Sequence, residues 1–167
     1  MSDPRCIAVL APNWLGDAVM SLPAIADLRR RYRSARIVVA ARRSVADLFR
    51  LVAAVDQIIN QDLESLRASG ADVALLLPNS FSSAWLVRRA GIAERCGYAT
   101  DWRGGLLTRG VRRPHGTRPQ AAYYQHPAGA PGSAVGPLDP PPPTPPASDA
   151  SPRPRPRPPP RGPPSPP

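Results

Sequence analysis

The stretch Ala11-Pro12-Asn13-Trp14-Leu15-Gly16-Asp17-Ala18-Val19-Met20-Ser21-Leu22-Pro23 decides how this chain is read. Before it runs Cys6-Ile7-Ala8-Val9-Leu10, apolar throughout, as a strand buried on both faces is. After it, Leu22, Ile25, Leu28 and Tyr32 recur at helical spacing, which predicts a helix over Ala18 to Arg31. A strand, a glycine turn and a helix together make a cradle for an anionic ligand. A helix N-terminus presents unbonded N–H groups and a partial positive charge. Gly16 permits close backbone approach, and Asp17 sets one carboxylate at the mouth of the turn. That carboxylate is a candidate general base. The plainer reading of the same residue is a helix N-terminal acid that complements the dipole.

Outward from this stretch the alternation continues. Arg36-Ile37-Val38-Val39-Ala40 reads as a second strand. A second helix follows over Val45 to Val52, capped by Ser44, with Leu48, Phe49 and Val52 inward. Asp56-Gln57-Ile58-Ile59 is a short third strand, and Asp62 to Ser69 a third helix. Val73 to Leu77 is an apolar strand ended by Pro78. Ser80 or Ser82 opens a helix to Ala90, and Arg95 to Ala99 forms a further strand. Apolar strands alternating with helices predict an α/β fold: one parallel sheet with helices on both faces. Ligands of such sheets sit beyond the carboxyl ends of the strands. Asn13 to Asp17, Ala41-Arg42-Arg43-Ser44 and Pro78 to Ser82 should therefore border one crevice.

Composition divides the 167 residues in two. Residues 127–167 hold 19 of the 25 prolines and no aromatic residue. Such a tail buries too little apolar surface to offset chain entropy and is expected to be disordered, partly polyproline II. Residues 1–126 carry the one expected domain. The net charge is +10, and all 22 basic residues are arginine. A basic surface favours anionic partners, although the arginine bias also fits a GC-rich gene. Cys6 and Cys96 lack the spacing of a zinc site and read as free thiols of a reduced, cytoplasmic chain. No signal peptide and no run of 18 apolar residues is visible. His115 and His126 have no partner marking a metal or a triad, so no metal and no cofactor are expected.

Asn13-Trp14-Leu15-Gly16-Asp17-Ala18-Val19-Met20 resembles the opening signature of the lipopolysaccharide heptosyltransferases, glycosyltransferase family 9. Two further blocks carry the resemblance in order. One is Ala71-Asp72-Val73-Ala74-Leu75-Leu76-Leu77-Pro78-Asn79-Ser80-Phe81 with Ser83-Ala84. The other is Gly91-Ile92, Gly97-Tyr98 and Arg103-Gly104-Gly105-Leu106-Leu107-Thr108. The resemblance runs from Arg5 to about His126. It implies the N-terminal, Rossmann-like, acceptor-binding half of a two-domain GT-B enzyme. It also implies Asp17 as the base that deprotonates an acceptor sugar hydroxyl. That hydroxyl attacks ADP-heptose with inversion, and the donor site lies in a second domain. The implied acceptor is heptosyl-Kdo-lipid A, lined by Asn13, Trp14, Gly16, Arg42, Asn79, Ser80 and Phe81. The implied place of work is the cytoplasm, peripheral on the anionic inner-membrane face.

The sequence departs from the family at Ser82, where a basic residue is common, at Arg33, at Cys96 and at Pro119. After His126 the Pro/Arg-rich text replaces the expected hinge helix, which suggests a frameshift and a chain inactive by itself. Arg103, Arg109, Arg112 and Arg113 with Trp102 read as a loose basic cluster, either solvated or facing phosphorylated lipid. Two other classes compete. A binding module could use the basic domain and Arg153-Pro154-Arg155-Pro156 for an SH3-like or anionic partner. The tail lacks aromatic residues to stack bases, so nucleic acid is not expected. A dinucleotide-binding domain is disfavoured because the first turn has one glycine and not G-x-G-x-x-G.

Overall fold

A computed structural model describes residues 4–100, 103–111 and 124. Six parallel strands form one sheet in the order β3-β2-β1-β4-β5-β6. The strands are β1 (Cys6–Leu10), β2 (Arg36–Ala41), β3 (Gln57–Asn60), β4 (Val73–Leu76), β5 (Glu94–Tyr98) and β6 (Arg109–Val111). The helices are α1 (Leu15–Met20), α2 (Leu22–Arg31), α3 (Arg43–Arg50), α4 (Leu63–Ala68) and α5 (Phe81–Ala90). This is the doubly wound order, with the chain reversing direction across the sheet between β1 and β4. The predicted α/β parallel sheet is the fold observed.

Because side chains alternate along a strand, β1 serves both faces. Ile7 and Val9 join Ile25, Ile37, Val39 and Phe49 in one buried layer. Ala8 and Leu10 join Leu66, Leu76, Val87 and Ile92 in the other. Tyr124 packs into the first layer. At the amino end of the sheet, two carboxylates close the backbone. Asp72 Oδ2 accepts from the Arg5 and Cys6 N–H groups at 2.9 and 3.0 Å. Asp56 Oδ2 accepts from the Ile37 N–H at 2.7 Å and pairs with Arg29. Burial pushes the Asp56 carboxyl up, but the Ile37 bond and the arginine outweigh it and hold it below the ordinary value.

Several local readings are corrected. The single helix from Ala18 is two helices broken at Ser21. Pro23 has no N–H to offer the Val19 carbonyl, so the α1 ladder stops, and the Ser21 hydroxyl at the break donates to the Ala18 carbonyl at 2.7 Å. The first helix also starts earlier, at Leu15, so Gly16 and Asp17 belong to its first turn and not to a preceding glycine turn. Arg42, not Ser44, occupies the N-cap of α3, and no side-chain bond caps it. The short edge strand β6 was not anticipated. The expectations for Trp102, Arg112, Arg113, His115, Pro119, His126 and residues 127–167 lie outside the described residues.

Candidate functional site

The reversal between β1 and β4 determines what the crevice contains. Leu10 and Leu76 are register partners, so the segments leaving β1 and β4 start side by side. The Leu77 N–H donates to the Leu10 carbonyl at 3.3 Å, and the Ala11 N–H to the Ala40 carbonyl at 2.9 Å. The exit of β1 is thus flanked by the exit of β2, which leads to Arg42, and by that of β4, which leads to Asn79 and Ser80. Asn13, Trp14, Gly16 and Asp17 leave from the centre of this row.

The first lip, residues 13–17, is open. Asn13, Trp14, Leu15 and Gly16 are exposed, Trp14 at 77%, and Asp17 is half-buried in the first turn of α1. Gly16 has an ordinary backbone φ, and a Cβ there would meet nothing within 4 Å. Among the described residues no packing contact demands that glycine. Trp14 fills the N-cap of α1 without a side-chain cap bond.

The second lip, residues 78–81, is tied down. Ser80 caps α5 by accepting from the Ser83 N–H at 3.3 Å, and the Ser83 hydroxyl donates back to the Ser80 carbonyl at 2.7 Å. Phe81 is exposed and stacks on Trp85 with ring centroids 6.4 Å apart. Beneath this lip lies Arg103, with no exposed surface. Its Nη1 donates to the Pro78 carbonyl at 2.6 Å and to the Ser80 carbonyl at 3.4 Å. Its Nη2 donates to Asn79 Oδ1 at 3.3 Å, and its Nε to the Tyr98 carbonyl at 2.7 Å. The reading of Arg103 as part of a solvated or lipid-facing cluster is therefore overturned: it is a core residue. Arg109 likewise pairs with Glu94 at 3.4 Å along the sheet edge. Sequence reasoning placed Asn79 and Ser80 at a strand end but missed what holds them.

Acids at the carboxyl end of the sheet divide by task. Asp62 caps α4 by accepting from the Ser65 N–H at 2.8 Å, and Asp47 pairs with Arg50. Asp17 is the acid that sits where β1 hands over to its helix, at the topological reversal. Arg42 and Arg43 are exposed at the exit of β2. Beside them a hollow of about 740 Å³ opens between α3 and β3, lined by Arg43, Asp47, Arg50, Asn60 and Ser65; neither lip lines it. Both thiols are free and buried, and burial pushes Cys96 up to about 11, against the lowering effect of Arg109. Among the described residues no group of acids, histidines and cysteines could hold a metal, and no helix is long and apolar enough to cross a membrane.

Comparison with known proteins agrees with this architecture. The profile of glycosyltransferase family 9 (heptosyltransferase) matches residues 59–123. Lipopolysaccharide heptosyltransferase 2 of Escherichia coli K12 is 35% identical over 115 residues, covering 60% of this chain and 33% of that protein. Lipooligosaccharide heptosyltransferase 2 of Haemophilus ducreyi is 31% identical over the same length and shares. The chain thus spans about a third of the curated relatives it matches. The structure of E. coli ADP-heptose LPS heptosyltransferase II superposes with a TM-score of 0.65 at 32% identity, over 73% of this chain and 39% of that one. E. coli heptosyltransferase WaaC with ADP superposes at 0.69 and 16% identity, over 78% of this chain and 48% of that one, and shares the fold. Over the region matched, the chain is similar in sequence to glycosyltransferase family 9, the heptosyltransferases, and in fold to one half of their solved structures.

Proposed function

We propose that this domain is the acceptor-side half of an inverting heptosyltransferase acting on the inner core of lipopolysaccharide, with Asp17 as general base. The observation that carries the proposal is the place of Asp17. It stands in the first turn of the helix leaving β1, at the reversal point of the sheet, next to Gly16, against which none of the described residues packs. A carboxylate there takes the proton from an acceptor sugar hydroxyl as that oxygen attacks the anomeric carbon of ADP-heptose. The bond to the diphosphate breaks, and configuration inverts. No covalent intermediate is needed. Asn13, Trp14, Asn79, Ser80 and Phe81 line the heptosyl-Kdo-lipid A acceptor from the two lips. Arg42 meets its phosphate groups, for which a guanidinium fork is suited.

The diphosphate of the donor belongs, in this reading, to a second Rossmann-like unit facing the crevice. Transfer to an inner-core sugar places the work on the cytoplasmic face of the inner membrane. Exposed Phe81 and Trp85 with Arg88 and Arg89 on α5 support peripheral contact with an anionic lipid surface. The test is a fusion in which residues 1–111 replace the matching segment of E. coli heptosyltransferase II. We expect heptose transfer from ADP-heptose, read by mass spectrometry. Asp17→Asn in that fusion should reduce turnover by roughly 10²–10⁴ without lowering its melting temperature. Near-normal turnover by the Asp17→Asn form removes Asp17 from the mechanism.

A further inference from the structure

We infer that Arg103 is a positioning residue for the acceptor crevice, acting through the lip at residues 78–80. The inference rests on the acceptor reading above. Taking a guanidinium out of water is costly, and the cost is met only when its donors find good acceptors. Arg103 is fully buried, and three of its oxygen partners, the Pro78 and Ser80 carbonyls and Asn79 Oδ1, come from three consecutive residues of one lip. Another, the Tyr98 carbonyl, anchors the same side chain to the end of β5. The guanidinium thus joins two strand exits. Its bond to Asn79 Oδ1 turns the amide NH2 of Asn79 away from Arg103. The carbonyl contact at Ser80 fixes the residue whose hydroxyl caps α5.

Space for this side chain is provided at Gly97. A Cβ on that glycine would lie 3.3 Å from Arg103 Nη2 and 3.2 Å from both the Cβ and the carbonyl oxygen of Leu76. Gly97 and Leu76 are register partners on β5 and β4. The glycine, the arginine and the Pro78-Asn79-Ser80 segment therefore form one unit across 25 residues of sequence. A fixed cation under the lip also adds positive potential where an anionic ligand would lie.

The test compares Arg103→Lys, which keeps the charge but loses the planar fork, with Arg103→Gln, which loses the charge, in the 167-residue chain. The probe is O-deacylated heptosyl-Kdo-lipid A, titrated calorimetrically, with amide hydrogen exchange read at Asn79, Ser80 and Phe81. We expect Arg103→Lys to weaken binding about tenfold, as the loss of one or two charge-assisted hydrogen bonds does, and to speed exchange at those three amides. Arg103→Gln should weaken binding further and flatten its salt dependence. Leu66→Ala, a core truncation on α4 outside either lip, controls for lost stability and should leave affinity unchanged. Should both Arg103 variants fail to fold, the protected Nε–H resonance of Arg103 in the wild-type chain decides, since it should shift on saturation with acceptor. Affinity and exchange unchanged in Arg103→Lys, or an unmoved Nε–H resonance, overturns the inference. If the wild-type chain binds no acceptor, the acceptor reading fails, and the exchange rates at Asn79, Ser80 and Phe81 alone judge Arg103.

Discussion

The two lips of the crevice occupy equivalent places in the fold and are built in opposite ways. Each is the passage from a central strand into a helix, at the point where the sheet reverses. The lip after β1 carries an exposed Trp14 that caps nothing with its side chain, followed by a Gly16 that no packing contact among the described residues demands. The lip after β4 is capped by Ser80, braced by Ser83 and held from below by Arg103. Local stability is spent on one side and withheld on the other. A site that must admit a hydroxyl beside a base, and still present it at a fixed angle, is served by such a division. On the proposed reading, the open lip carries the base and the braced lip is the wall against which the acceptor is placed.

Breaking the braced lip should give the largest effect on stability. Gly97→Val inserts a branched side chain where even a Cβ lies 3.2 Å from the Leu76 backbone oxygen. The sheet cannot yield there, because β4 and β5 are paired at that position. We expect a loss of about 1–3 kcal/mol or more in urea unfolding, with Arg103 displaced from Asn79. A change below half a kcal/mol would show that the lip does not depend on the close approach of β4 to β5.

A smaller effect isolates the cap. Ser80→Ala removes the acceptor for the Ser83 N–H and should cost about 1 kcal/mol, read as a fall in the denaturant midpoint at unchanged m-value. Arg103 still holds the carbonyls of Pro78 and Ser80 in that variant, so the lip should loosen without opening. Exchange at Asn79 as fast as in a disordered loop would mean that the cap, and not the arginine, is the brace.

Much of this was readable in the chain because the central strands are almost wholly apolar. Apart from Cys6 and the exposed Arg36 at their starts, β1, β2 and β4 are runs of Ile, Val, Leu and Ala, as burial on both faces favours. Their ends, and hence the positions of Asp17, Arg42, Asn79 and Ser80, followed directly. The edge strand β6, Arg-Gly-Val, has three residues and no apolar pattern, so nothing announced it. Arg103 was misread for a related reason. An arginine in a segment with Gly104 and Gly105 reads as solvated, and its partners lie 5 to 25 residues away in sequence. The break at Ser21 did have a signal in Pro23, which the even spacing of Leu22, Ile25 and Leu28 obscured.

The finest test works on the open lip and reverses the usual sign. Trp14 has the extended backbone that an N-cap requires, with φ −100° and ψ 139°, but its indole cannot accept from the N–H of Gly16 or Asp17. Trp14→Ser supplies an oxygen in the right place. The ring it removes is 77% exposed, so little packing is lost. We expect a gain of about 0.5–1 kcal/mol in stability, with α1 amides exchanging more slowly. In the same variant, acceptor affinity should fall, because an aromatic face suited to a sugar has gone from the crevice. A gain in stability with binding preserved would mean that Trp14 faces something other than the acceptor. A loss of stability would mean that the open lip is packed more tightly than its exposure indicates. Only the combination of a firmer α1 and a weaker site fits a lip kept locally unfavourable for the sake of its ligand.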